Sequence, residues 1–361
     1  MNVRFAIASD LHIALPETID NNANRFHLTQ FSIPALEVVL QHLNTLNLDF
    51  LLLPGDLTQD GEIVNHQWLK TKLETLSYPV YVIPGNHDVP SLKGNKSSIA
   101  FQDFPYYYQQ FGYENPESFD YTCALAEGLQ LVALNSNHFD EEGKQLGCLT
   151  ESQFIWLEDT LSRLRDKLVF VMIHHNVIEH LPDQSNHVLG CRYMLDNASR
   201  LLEILDKYQV KFIFTGHLHI QDISTYKGIY EITTGSLITY PHPYRILELK
   251  DNQLSIESHH INQLPEVENL ADFSKQWTAD RSFPFMIKML TSPPLNLPFP
   301  EAQTYAPQLK NLWADIAHGD KTFDFPELPP HVNQYFKLFG AIDREGKPQA
   351  IDNQHSIIIH H

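Results

Sequence analysis

Residues 4–12 read Arg4-Phe5-Ala6-Ile7-Ala8-Ser9-Asp10-Leu11-His12, an apolar run too short for a helix that leads directly into a carboxylate and an imidazole. Such a run reads as a buried strand. The arrangement recurs along the chain: Asp49–Leu53 precedes Gly55-Asp56, and Val80–Ile83 precedes Gly85-Asn86-His87-Asp88. Leu168–Ile173 precedes His174-His175, and Lys211–Phe214 precedes Gly216-His217-Leu218-His219. In open α/β sheets ligands bind outside the carboxyl ends of the strands, so polar clusters repeating at that location predict one shared site.

Between the strands lie amphipathic stretches at His27–Leu46, Glu62–Leu76, Thr150–Leu164 and Ala198–Tyr208, and this alternation indicates mixed α/β layering. Thr150 and Gln153 form a capping-box start, each side chain satisfying the other's free backbone N–H. From Ile220 to Ile261 the texture changes to short strands separated by Lys227-Gly228 and Asp251-Asn252, which predicts antiparallel hairpins. Beyond Leu264, helical periodicity around Glu266–Leu290 and Glu301–His318 flanks the proline-rich segment Ser292–Pro300. The expected division is therefore an α/β domain over residues 1–264 and a mostly helical extension over 265–361.

With 361 residues, 43% of them hydrophobic, the chain can bury a sizeable core. No stretch approaches 18 consecutive apolar residues and the first strand starts almost at Met1, so neither a membrane span nor a secretory signal is expected. Cys123, Cys148 and Cys191 are an odd count without metal-ligand spacing, which suits a reducing compartment; the expected location is the cytoplasm. A net charge of −19 argues against binding extended nucleic acid or an anionic membrane, yet leaves room for a small phosphoester, because cations in a pocket dominate the field there. The histidine pairs His259-His260 and His360-His361 lie outside the motifs.

A carboxylate is the ligand best able to bridge two cations, and imidazole nitrogen suits zinc, iron, manganese or cobalt. Asp56 is the natural bridge. Asp10 and His12, like His217 and His219, are two residues apart, a spacing that in an extended strand turns both side chains the same way. Gly55 and Gly216 precede ligand residues where the chain must turn sharply. Asn86 offers a neutral carbonyl oxygen, which leaves an ion more electrophilic than another carboxylate would. Each cluster alone has an ordinary structural explanation: a chance Asp-x-His, a Gly-Asp turn, core histidines, or an Asx-type turn at Asn86-His87-Asp88. Independent turns give no reason for metal-compatible residues to recur after successive strands.

Taken in order, these motifs resemble the D-x-H, G-D, G-N-H-[DE], H and G-H-x-H pattern of the calcineurin-like metallophosphoesterase superfamily, over roughly residues 3–262. The resemblance implies an α/β fold, specifically an αββα sandwich of two mixed β-sheets flanked by helices, here with a small helical C-terminal extension. It also implies two divalent or mixed-valence metal ions, Fe, Mn or Zn. Asp10, His12, Asp56 and His219 would hold one ion, and Asp56, Asn86, His174 and His217 the other. His175 would stand behind the ligands. His87 would protonate the leaving oxygen and Asp88 would orient its ring, a turn-forming carboxylate being the alternative for Asp88. The implied reaction is phosphodiester hydrolysis by hydroxide generated at the dinuclear centre.

The runs Pro54–Gly61 and Gly216–His219 resemble the class III cyclic nucleotide phosphodiesterases and the related glycerophosphodiesterases. Protein Ser/Thr phosphatases carry arginine after the corresponding motifs, where this chain has Leu57–Gly61 and Val89-Pro90. A singly charged diester, either a cyclic nucleotide or a small glycerophosphodiester-like compound, is the expected substrate. The alternatives are a phosphomonoesterase or nuclease on the same site, or a noncatalytic metal-binding scaffold. Val89–Phe104 and Val177–Tyr193 are the loops expected to shape specificity, with Arg192, His138, His180, His187 and Tyr106-Tyr107-Tyr108 as further residues of interest. The extension is expected either to cover the pocket or to join copies into a homo-oligomer.

Overall fold

The structure, a computed structural model, describes residues 1–20, 22, 25–343 and 345–359; His360-His361 lie outside the described residues. The first strands are β1 (Asn2–Ile7), β2 (Phe50–Leu53) and β3 (Val80–Val82). They are followed by β4 (Tyr121–Ala126), β5 (Leu129–Leu134), β6 (Asn137–Phe139), β7 (Gln145–Gly147) and β8 (Leu168–Ile173). The last are β9 (Phe212–Thr215), β10 (Asp222–Tyr226), β11 (Ile229–Thr233), β12 (Pro243–Lys250), β13 (Gln253–His260) and β14 (Gln354–Ile358). They form two six-stranded mixed sheets, ordered β14-β13-β12-β1-β2-β3 and β10-β11-β9-β8-β5-β4, with β6 and β7 as a separate hairpin.

The helices are α1 (Ser32–Leu43), α2 (Ile63–Leu73), α3 (Phe104–Tyr107), α4 (Glu151–Arg163) and α5 (Ala198–Lys207). In the extension they are α6 (Leu270–Thr291), α7 (Phe299–Tyr305), α8 (Leu312–His318) and α9 (Pro330–Lys337).

Alternation along β8 shows why two layers form. Phe170 and Met172 enter the cluster between the sheets, whereas Val169, Val171 and Ile173 pack with Phe154, Leu157 and Leu161 of α4 and Leu201, Leu202 and Leu205 of α5. Both faces are apolar because both are covered. Phe5 of β1 meets Phe170 at 5.5 Å and Phe214 at 5.9 Å, which closes one sheet on the other. Parallel pairing of β1 with β2, β2 with β3, β5 with β8 and β8 with β9 sends their carboxyl ends the same way within each sheet.

The anticipated hairpins are β10–β11 and β12–β13, and their turn pairs adopt the left-handed conformation that tight hairpins demand: φ is 48° at Lys227 and 79° at Gly228, and 49° at Asp251 and 62° at Asn252. The capping box at Thr150 and Gln153 is present. Three readings need correction. His27 lies in a loop, the first helix beginning only at Ser32. The segment Glu301–His318 is α7, a 3₁₀ turn at Ala306–Leu309, and α8, because Pro307 has no N–H to continue one helix. Strands β4 and β5, helix α9 and strand β14 were not anticipated at all.

The extension packs on the rest of the chain. Met286, Met289 and Leu290 of α6, Leu309, Leu312 and Phe336 share a buried apolar cluster with Leu218 and Ile220, which flank His219. Strand β14 pairs antiparallel with β13 at the edge of the first sheet.

Candidate metal centre

Backbone geometry past the strand ends differs from the extended form that the two-residue spacing suggested. Asp10 (φ 51°), His12 (φ 45°), Asp56 (φ 50°), His217 (φ 67°) and His219 (φ 61°) all adopt left-handed conformations. Such residues cost on the order of 1–3 kcal/mol each and collect at functional sites where the surroundings fix them. The surroundings here are explicit: Asp10 N–H donates to the Gly55 carbonyl (3.1 Å), His12 N–H to the Asp56 carbonyl (2.9 Å), and Gly216 N–H to the His174 carbonyl (3.2 Å). The equal-direction argument fails accordingly. His219 turns towards Asp10 and His12, whereas His217 turns towards His174.

Two groups of donors result. Atoms of Asp10, His12, Asp56 and His219 lie within 4.8 Å of one another, as do atoms of Asp56, His174 and His217. Asp56 belongs to both. Its Oδ2 stands 3.7 Å from His12 Nε2 and 3.4 Å from His174 Nε2, and His219 Nε2 is 3.1 Å from Asp10 Oδ1. Asn86 joins the second group, with its Oδ1 3.2 Å from His174 Nε2. The Pro54 carbonyl, 2.8 Å from His174 Nδ1, can only accept, so that nitrogen carries a proton and Nε2 is the one aimed at the Asp56 and Asn86 oxygens. Burial pulls the ring down but Asp56 raises it to about 9, so a cation bound there would take the place of the Nε2 proton. A methyl group on Gly216 would overlap the Asp10 carboxylate, and one on Gly85 would overlap Asp56; both glycines permit the close approach.

The donor set fits cations. His12 is buried and its Nε2 faces His219 Nε2 at 3.4 Å and Asp56 Oδ2 at 3.7 Å, a convergence of nitrogen and oxygen donors that a shared positive centre would satisfy. Burial lowers His12 well below the usual imidazole value, with His27 and His87 adding to it, which keeps the ring in the neutral form that ligates. His217 is likewise lowered, by burial and then by His175 and His174. For Asp56 burial acts upward, but His174, His87 and His12 outweigh it and hold the carboxyl well below the usual range. Mixed oxygen and imidazole donors suit zinc, iron or manganese.

His87 borders both groups without joining either. Its N–H donates to Asp56 Oδ1 (2.8 Å), and its Nδ1 lies 2.6 Å from the Gln59 carbonyl and 3.6 Å from Asp60 Oδ1. Burial pulls the ring down, yet Asp56, Asp60 and Gln59 together raise it to about 9. The groups facing the ring are thus Gln59 and Asp60, not the Asp88 expected to orient it. Asp88 is fully buried and accepts from the N–H groups of Leu57 (3.0 Å), Thr58 (2.8 Å) and Gly85 (2.9 Å), which fastens the second motif to the third. Burial and then Asp56 push its carboxyl up to about 7. His175 hydrogen-bonds Ser136 Oγ at 2.7 Å, and burial followed by His174 lowers it to about 3.

Motif reading missed a buried polar network behind the His174 loop. Glu231 accepts from Val177 N–H (2.9 Å) and Thr215 Oγ1 (2.8 Å), while His180 Nδ1 lies 2.6 Å from Asp222 Oδ2. His180 Nε2 is 3.1 Å from Glu231 Oε1 but lacks hydrogen-bond alignment. Burial acts downward on His180, but Glu231 and Asp222 raise it from 6.5 to about 10. A raised histidine stabilises the fold fully below its unfolded value and loses that contribution as pH climbs through the folded one. The melting-temperature difference between the native chain and His180→Ala is thus expected to be largest near pH 6 and to shrink between 6.5 and about 10. A constant gap in thermal unfolding across that window contradicts the network.

A cavity of about 440 Å³ opens over the centre, bounded by Asp56, Asn86, His87, His217 and His219 at its base. One wall comes from the Val177–Tyr193 loop, through Leu181, Leu189, Arg192 and Tyr193; another comes from the extension, through Phe285, Met286, Met289, Trp313 and Phe339. His187 is on this wall, whereas no residue of Val89–Phe104 lines it. His138 is held by Gln153 at 2.8 Å, and Tyr108 is buried with its hydroxyl 2.8 Å from His66 Nδ1, so both are packing residues. Among the described residues no helix is long and apolar enough to cross a membrane.

Residues 3–221 match the family described as calcineurin-like phosphoesterase. A probable glycerophosphodiester phosphodiesterase of Arcobacter nitrofigilis is 28% identical over 247 residues, covering 63% of this chain and 76% of that protein. A probable cyclic nucleotide phosphodiesterase of Vesicomyosocius okutanii is 26% identical over 220 residues, covering 61% and 79%. Among solved structures, a dimetal phosphatase from Danio rerio superposes with a TM-score of 0.55 at 18% identity, covering 72% of this chain and 96% of the other.

Proposed function

Because the chain belongs to the calcineurin-like phosphoesterase family, we propose that it is a metal-dependent phosphodiesterase acting on a cyclic nucleotide or a small glycerophosphodiester-like substrate. The observation that carries this reading is the position of Asp56 in both donor groups, which is what a dinuclear site requires. Asp10, His12, Asp56 and His219 would hold one ion, and Asp56, Asn86, His174 and His217 the other. Two such ions supply charge neutralisation at phosphorus and water that is acidic enough to attack near neutral pH.

The chain's own residues supply the rest. His87 protonates the departing oxygen. Its Nδ1 is held by the Gln59 carbonyl, so Nε2 is the nitrogen that delivers the proton. Cations on Asp56 would remove one source of its raised basicity and leave Asp60, 3.6 Å away, to sustain the imidazolium. The Val177–Tyr193 loop and the extension wall the cavity with apolar side chains that exclude water from the ester's organic half. We read residues 1–264 as the catalytic domain and 265–361 as the extension that completes its pocket, supported by the apolar cluster that α6–α9 share with Leu218 and Ile220.

Among the described residues lining the cavity, Arg192 alone is a Lys or Arg, and its guanidinium stacks on Tyr193 at 4.6 Å. One rim cation suits a singly charged diester. A panel of bis(p-nitrophenyl) phosphate, p-nitrophenyl phosphate and cyclic AMP on metal-reconstituted protein decides: turnover of the diesters above the monoester is expected, and activity on the monoester alone overturns the reading. A cytoplasmic location is supported by the three free cysteines. For a homo-oligomer, the exposed Phe273, Phe283 and Phe299 of the extension are the residues to contribute, and sedimentation of the full chain separates monomer from dimer.

A further inference from the structure

We propose that His27 supplies an additional imidazole donor to the ion held by Asp10, His12, Asp56 and His219, and that helix α6 keeps it in place. The inference rests on the metal-dependent reading above and adds a residue that no motif contains. Donor atoms of His12, His27 and His219 lie within 4.8 Å of one another. The His27 ring centroid is 4.1 Å from that of His12 and 5.1 Å from that of His219.

Orientation of the ring carries the argument further. His27 Nδ1 is 3.2 Å from Gln59 Oε1, an oxygen that can only accept, so Nδ1 bears the proton and Nε2 offers its lone pair. Metal-binding histidines are held this way by an outer carbonyl or carboxylate. Gln59 also accepts from His87 Nδ1 through its backbone carbonyl, at 2.6 Å, so one residue sets both rings. Without a cation three imidazole rings crowd together, with the 3.4 Å contact between His12 Nε2 and His219 Nε2 as the hydrogen bond between them.

The loop that presents His27 is fastened on both sides. Leu28 N–H donates to the Ile238 carbonyl at 3.2 Å, next to the first motif's partner Ser236, whose Oγ donates to the Asp10 carbonyl at 2.8 Å. From the extension, Trp277 Nε1 donates to the Phe26 carbonyl (2.9 Å) and Arg281 Nε to the Arg25 carbonyl (2.7 Å), while the Arg281 guanidinium covers the Trp277 ring at 3.2 Å. Phe26 meets Phe285 one helical turn further on. A helix some 250 residues away in sequence thus positions a ring in the metal centre, as the separation of Phe26 and Trp277 records.

Cobalt(II) is the probe, because it reports ligands without turnover. The cobalt-loaded full chain is expected to show hyperfine-shifted imidazole resonances from His12, His27, His174, His217 and His219. His27→Ala, and independently His27→Gln, should lose the resonance of one ring and bind one of the two ions about 10–100-fold more weakly, while the other ion keeps its affinity. Trp277→Phe removes the hydrogen bond to Phe26 and reduces the ring on which Arg281 rests, and should weaken the same ion to a smaller degree. Wild-type affinity and an unchanged set of resonances in the His27 variants overturn the assignment while leaving the dinuclear centre standing. If no variant folds, a native spectrum with four shifted rings overturns it equally. A native chain that takes up no cobalt overturns both this proposal and the reading beneath it.

Discussion

Asp56→Asn is expected to leave a folded protein that retains at most one ion per chain and turns over diesters at least about 10²–10³-fold more slowly, the cost of losing one preorganised electrostatic stabiliser. The substitution preserves volume in a buried position, and an amide oxygen can still accept the His87 N–H that Asp56 Oδ1 now takes at 2.8 Å. What it removes is charge at a point 3.7 Å from His12 and 3.4 Å from His174, where the two donor groups meet. In the native chain those histidines and His87 keep the carboxyl ionised far below neutral pH against the upward push of burial. Elemental analysis of the purified variant alongside steady-state rates checks the outcome. Two ions retained with a rate within a few fold of native would show that Asp56 does not bridge.

His87→Ala is expected to keep both ions yet lose roughly 10²–10⁴-fold in rate on alkyl diesters, the usual worth of a general acid. The loss should fade on p-nitrophenyl esters, whose leaving group departs without a proton. The ring belongs to neither donor group, and only its backbone N–H touches Asp56. Rates for a series of leaving groups give the test: a deficit that grows with leaving-group basicity supports the role, and a uniform deficit or lost metal removes it. Asp88→Asn, by contrast, should act through the fold, since that carboxylate fastens Leu57, Thr58 and Gly85.

The strands that carry the site were legible because their sequence requirements are local. Leu168–Ile173 is apolar at every position since both faces of β8 are covered, and its polar tip follows immediately at His174. Gly216 is readable for a similar reason, the Asp10 carboxylate occupying the space a side chain would need. The direction of paired ligands was misread because the chain leaves the extended form beyond Ile7 and Thr215, and left-handed residues replace the strand period. Asp88 was misjudged by adjacency: it follows His87 in sequence but turns to the backbone of the second motif.

His27 was invisible for a physical reason. Nothing within ten residues of it marks a ligand, and its place is fixed by Ile238, Trp277 and Arg281, contacts that form only when distant segments pack. The extension shows the same limit. Helices α6 to α8 carried recognisable periodicity, but α9, the pairing of β14 with β13 and the delivery of Phe285, Trp313 and Phe339 to the cavity wall depend on tertiary packing. Family resemblance pointed to the cluster of candidate ligands; one wall of the cavity above it, Phe285, Met286, Met289, Trp313 and Phe339, lies beyond the residues the resemblance covers.

Anomalous diffraction from crystals of the native chain grown with manganese measures the central claim most directly. Two peaks are predicted, one among Asp10, His12 and His219 and one among Asn86, His174 and His217, with Asp56 between them. A single peak, or density for manganese only at sites remote from Asp56, would contradict it.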